Sequence, residues 1–130
     1  MQVTGIDHVV LRVRDLERAV GFYRDILGCI VDRRRDDLGM VHLRAGPSLI
    51  DLVAVDGRLG RGGGPAAGPT GHNMDHLCLR IADFGADEVR AHLVRHGVMI
   101  GETGARYGST GDGQSLYLED PDGNHLELRG

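Results

Sequence analysis

The chain has 130 residues, 41% of them hydrophobic, which is enough to close one core without a disulfide framework. Its formal charge is −4, with acidic and basic residues interspersed, so it offers no continuous basic surface to a nucleic acid. All fifteen basic residues are arginine, which removes lysine Schiff bases and the phosphate-loop lysine from the possible chemistry.

The first residues, Met1 to His8, contain no basic head followed by a long apolar run. No stretch approaches the roughly 18 apolar residues of a membrane span. A soluble, cytoplasmic protein is expected, with no membrane partner. Cys29 and Cys78 show no Cys-x-x-Cys spacing and read as reduced structural thiols.

The first predicted strand is Asp7-His8-Val9-Val10-Leu11-Arg12-Val13, with Val9, Leu11 and Val13 on one face and His8 on the other. Asp15 is placed to cap a helix running through Leu27, and Gly28 is placed to stop it. Strands are predicted at about 29–34, 40–44 and 48–55. The stretch 57–71 holds so many Gly and Pro residues that it reads as a flexible connector. It lacks the Gly-Lys-Ser/Thr ending of a phosphate loop.

The opening pattern then returns as Asp75-His76-Leu77-Cys78-Leu79-Arg80-Ile81-Ala82-Asp83-Phe84. Asp83 leads into a second helix carrying Ala86, Val89 and Leu93 and ended by Gly97. Three more strands are predicted at about 98–101, 114–119 and 124–129. One domain over 1–130 is expected, an α+β fold of two βαβββ modules, about 1–56 and 72–130.

Strand parity extends the repeat to acids. Ile50 and Leu52 face the helices and leave Asp51 on the other side; Leu126 and Leu128 do the same for Glu127. Each half thus contributes one histidine from its first strand and one carboxylate from its last. His8, Asp51, His76 and Glu127 form a nitrogen and oxygen donor set suited to Fe, Mn, Zn, Ni or Co as a divalent ion. Asp51, in an otherwise apolar strand, needs a metal or an arginine such as Arg12 or Arg80 to offset its burial.

Other residues carry weaker signals. His42 and His125 share the parity of Asp51 and Glu127, as groups behind the ligands or against substrate. Tyr117 also has polar-face parity, to contact substrate or to close the rim of the core. His92 and His96 have helical spacing but no intervening metalloprotease glutamate, and read with His72 as exposed polar residues. Asp120-Pro121-Asp122-Gly123-Asn124 is a turn. Arg12, Arg80 and Arg106 are available to orient an anionic substrate or to form internal ion pairs.

Asp7-His8-x-x-Leu11-x-Val13-x-Asp15-Leu16 with Phe22-Tyr23 and Leu27-Gly28, the second Asp75-His76, and Tyr117-Leu118-Glu119-Asp120-Pro121-Asp122-Gly123-Asn124-His125-Leu126-Glu127-Leu128 together resemble the vicinal oxygen chelate superfamily. That superfamily includes glyoxalase I, extradiol dioxygenases, fosfomycin-resistance proteins and bleomycin-binding proteins. The resemblance implies a half-open, cup-shaped mixed sheet with helices outside, and a metal chelated by two adjacent substrate oxygens. It implies His8, His76 and Glu127 as a two-His-one-carboxylate set. Asp51 falls at the fourth-ligand position, where the glyoxalase pattern has Glu, and Tyr117 falls at the active-site tyrosine position of extradiol enzymes. It also implies a homodimer, with a site built within one chain or from exchanged modules.

Three functions follow as expectations: an extradiol-type dioxygenase, favoured by Tyr117; a glyoxalase I-like isomerase or lyase in which Asp51 moves a proton; and a metal-free binding protein. The third is disfavoured by the presence of only two Phe and three Tyr to stack on a planar ligand.

Overall fold

The computed structural model covers residues 1–130 and divides into two units, Met1–Asn73 and Met74–Gly130. The first runs β1 (His8–Val13), α1 (Leu16–Gly21), β2 (Ile30–Arg35), β3 (Met40–Ala45) and β4 (Ser48–Ala54). The second runs β5 (Leu77–Arg80), α2 (Ala86–Arg95), β6 (Ile100–Gly108), β7 (Gly111–Glu119) and β8 (His125–Arg129). The expected βαβββ order is present twice, in an α+β fold. The sheets have equivalent orders, β1-β4-β3-β2 and β5-β8-β7-β6. In each, the first strand lies parallel to the last and the remaining pairings are antiparallel.

In the first unit the alternation places Leu11, Val13, Val41, Leu43, Ile50 and Leu52 in the core with Ala19, Val20 and Tyr23. Asp15 caps α1, its Oδ1 accepting from the Arg18 amide at 2.9 Å. The regular helix stops at Gly21, short of the expected Leu27, and widens into a π-type turn over Phe22–Ile26. The wide turn brings the consecutive rings of Phe22 and Tyr23 inward together, edge to face at 5.3 Å, both buried. Gly28 closes the turn with φ 78°.

The connector is more ordered than its composition predicts. It forms a 3₁₀ turn at Gly60–Gly63, clamped by the Arg12 side chain. Arg12 Nε donates to Gly60 O (3.1 Å), Nη1 to Gly63 O (2.9 Å) and Pro65 O (3.2 Å), and Nη2 to Gly64 O (2.5 Å). Arg14 donates to Ala67 O. The glycines permit this clamp: a Cβ on Gly60 would sit 1.9 Å from Ala54 O, and one on Gly63 would meet the Arg12 guanidinium at 2.5 Å.

In the second unit Leu93, Leu116, Leu118, Leu126 and Leu128 are buried. Asp83 does not cap α2. It bends the chain with φ 49°, a conformation aspartate tolerates, and the helix starts after Gly85, which makes no side-chain cap. The Glu88 carboxylate folds back over Gly85, so a Cβ there would lie 2.1 Å from it. The β6–β7 hairpin is longer than the expected 98–101 and 114–119. Gly104, Gly108 and Gly113 are strand residues whose missing Cβ atoms leave room for the Arg106 and Arg129 side chains. No helix is long and apolar enough to cross a membrane.

Candidate metal and substrate face

In the second unit the register sets Glu127 of β8 between Cys78 of β5 and Tyr117 of β7. The turn before β8 fixes where that strand starts. Asp120 Oδ1 accepts from the amides of Asp122 (2.8 Å) and Asn124 (2.9 Å), and Oδ2 from Asn124 Nδ2 (2.7 Å). Glu127 is 5% exposed. Burial alone would raise its pKa, but hydrogen bonds from Ser115, Tyr117 and Cys78 and the nearby His76 outweigh it and hold the carboxyl below the usual range. Its Oε2 lies 3.3 Å from His76 Nε2. The Tyr117 ring stands edge-on to His76 at 5.8 Å, with the Arg106 guanidinium 5.6 Å from its centroid. Burial, then the Glu127 charge, push the Tyr117 hydroxyl upward in pKa.

Both repeated Asp-His pairs share one arrangement. His76 Nδ1 lies 2.5 Å from Asp75 Oδ1, and His8 Nδ1 lies 2.6 Å from Asp7 Oδ1. An aspartate on Nδ1 fixes the ring and favours the tautomer whose Nε2 carries the lone pair, the arrangement found behind metal-ligating histidines. The Asp7 hydrogen bond raises the His8 pKa, which burial opposes and the charge of Asp51 reinforces.

In the first unit Asp51, 3% exposed, pairs across the sheet with His42. Its Oδ1 lies 2.7 Å from His42 Nδ1. Neither arginine considered as its partner takes that role: Arg12 holds the connector, and Arg80 donates to Ser109 Oγ at 2.8 Å. Within neither unit do three His, Cys, Asp or Glu side chains converge on one point; the first supplies His8 and the His42–Asp51 pair, the second the His76–Glu127 pair. Of the remaining histidines, the His92 and His96 rings lie 4.5 Å apart, tilted by 45°, at the end of α2, and His125 Nε2 lies 3.4 Å from Glu119.

A family model described as Glyoxalase/Bleomycin resistance protein/Dioxygenase superfamily matches residues 5–128. The chain belongs to that superfamily. It is 30% identical to virulence protein STM3117 of Salmonella typhimurium, covering 98% of this chain and 85% of that protein. It is 27% identical to a catechol-2,3-dioxygenase of Bacillus subtilis, over 96% of this chain and 41% of that enzyme. A solved integron cassette protein from the mobile metagenome of V. Pseudocholerae superposes with TM-score 0.80 at 27% identity, covering 99% of this chain and 95% of that one. Superfamily members include enzymes, and divalent metals and small-molecule substrates are typical of them.

Residues not singled out in the sequence lie beside the candidates. Ser115 and Cys78 both touch Glu127. Parity would have revealed them, Ser115 two residues before Tyr117 and Cys78 two after His76. Cys29 is a buried free thiol, whereas Cys78 is an exposed free thiol beside Glu127.

Proposed function

We propose that the chain is a divalent-metal enzyme that binds a small substrate through two adjacent oxygens, with His8, His76 and Glu127 as ligands and extradiol-type ring cleavage as the reaction. The observation that carries this reading is the pair of aspartate-held imidazoles, each with Nδ1 occupied, His76 turning its Nε2 toward Glu127 Oε2 at 3.3 Å. The donors suit the ion: Glu127 is held anionic and bound by neighbouring donors, and two imidazoles with one carboxylate form the set used by non-haem iron oxygenases. Because the ligands belong to both units, they are contributed by one chain or by two copies of a homodimer.

When bound, the ion would supply a Lewis-acid anchor for neighbouring substrate oxygens and a centre for O2 chemistry. Tyr117, beside His76 and bonded to Glu127, orients the substrate and holds a proton near its oxygens. Asp51 stays with His42, which favours the three-ligand set over four. A second reading, a glyoxalase-like isomerase or lyase, draws on that His42–Asp51 pair as a place to receive a proton.

Metal content measured after chelator-free purification tests the ligand set. Anaerobic loading with Fe(II), followed by O2 uptake over a panel of catechols, tests the reaction. Uptake with at least one catechol is expected, and it should be lost in His76→Ala. No uptake across the panel would overturn the dioxygenase reading, and turnover of thiol hemithioacetals would put the second in its place.

A further inference from the structure

Two arginines on the face of Glu127 have no carboxylate partner. Arg80 and Arg129 are register neighbours on β5 and β8, in the row next to the one formed by Cys78, Glu127 and Tyr117. Strand geometry puts that row roughly 7 Å from Glu127. Arg129 is 5% exposed. Its Nη2 donates to Gly111 O at 2.8 Å, and its Nε is buried with no hydrogen-bond partner. Arg80 donates to Ser109 Oγ. All the protein offers these two cations is thus one carbonyl and one hydroxyl, both from the β6–β7 hairpin.

The hairpin is shaped around Arg129. A Cβ on Gly108 would lie 1.7 Å from Arg129 Nη1, and one on Gly113 would lie 2.6 Å from Nη2. The sequence therefore keeps two side chains out to admit a buried cation. Such a cation carries a desolvation cost of several kcal/mol unless an anion neutralises it. A buried polar group left unpaired in an otherwise satisfied fold calls for a partner, a water or an ion among them. Five other arginines set a contrast: Arg24, Arg34, Arg35, Arg44 and Arg106 each meet a carboxylate.

We propose that Arg80 and Arg129 form an anion subsite that receives a carboxylate or phosphonate of the substrate, roughly 7 Å along the sheet from Glu127. This deepens the reading of that face as the substrate face, and narrows the substrate to a small molecule bearing an anionic group apart from its chelating oxygens. Guanidinium forks suit such groups because they offer paired N–H donors to planar or tetrahedral oxyanions.

The test is titration of EDTA-treated protein with inorganic phosphate at fixed ionic strength, followed by calorimetry or phosphorus NMR. Saturable binding to the wild type is expected, weakened at least tenfold in Arg80→Gln and in Arg129→Gln, and unchanged in Arg95→Gln on α2. Arg80 is exposed, so R80Q keeps the test decisive if R129Q fails to fold. Absence of phosphate binding, wild-type affinity in R80Q, or equal weakening in R95Q each overturns the proposal. Since the titration excludes metal, the two readings fail separately: phosphate binding without metal uptake sinks the metal site alone, and metal uptake without phosphate binding sinks the anion subsite alone.

Discussion

Glu127 keeps its charge in a nearly closed setting because its neighbours are donors, and one of those neighbours registers that charge. The Cys78 thiol is pushed up to about 11, by burial first and by Glu127 second. At pH 8 its thiolate population is then roughly a hundredfold or more below that of an ordinary cysteine. Iodoacetamide labelling followed by mass spectrometry should find Cys78 slow to react despite its exposure, and Glu127→Gln should speed it by removing the repelling charge. Equal rates in the two proteins would show that the carboxylate does not govern the thiol. The same carboxyl makes stability depend on pH. Its folded pKa lies below the unfolded value of about 4.3, so the folded state binds fewer protons. Its contribution is complete above that value and is lost as pH falls through the folded pKa. Urea midpoints of metal-free protein should therefore fall less between pH 7 and pH 3.5 in Glu127→Gln than in the wild type. Ser115→Ala, which strips one donor from Glu127, should cost about 1–3 kcal/mol at pH 7.

At the scale of elements, the connector shows how a side chain can override composition. Gly and Pro content argues for mobility, but four carbonyls converge on Arg12, and fixing them on one guanidinium orders the chain that supplies them. Trypsin has Arg58 and Arg61 as targets in this stretch. Arg12→Ala should raise cleavage there by roughly tenfold, following local opening that the clamp now suppresses, while far-UV circular dichroism stays unchanged. Equal cleavage in the two proteins would mean the clamp contributes nothing to order.

The elements also show what was legible in the sequence. Strand parity identified the apolar and polar faces correctly, because Leu11, Val13, Leu126 and Leu128 alternate without interruption. Asp15 announced its helix for the same local reason, a side chain bonding an amide three residues on. Asp83 leads into its helix by another route, since the same residue type also tolerates positive φ and there it serves as a bend. The hairpin was hidden because its glycines answer to Arg129 and Arg106, one of them distant in sequence. The partner of Asp51 was hidden too: His42 stood out by parity, but only the β3–β4 register places it directly opposite.

For the whole molecule, the repeat carries a thermodynamic consequence. The proposed ligands are divided between the units, His8 in the first and His76 and Glu127 in the second. An ion that uses all three stabilises both units by mass action, by about 2.7 kcal/mol at a free concentration a hundred times Kd. Manganese(II) added to metal-free protein should therefore raise the thermal midpoint, and hydrogen exchange should slow in both units. His8→Ala and His76→Ala should each abolish most of that rise, although their histidines are on different units and only His76 touches Glu127. His8 is exposed, so its replacement leaves the metal-free stability near the wild-type value, apart from the ion pair with Asp7. A full manganese shift in His8→Ala, with loss confined to His76→Ala, would mean the ion is held by the second unit alone, and the symmetry of the two Asp-His pairs would carry no shared metal.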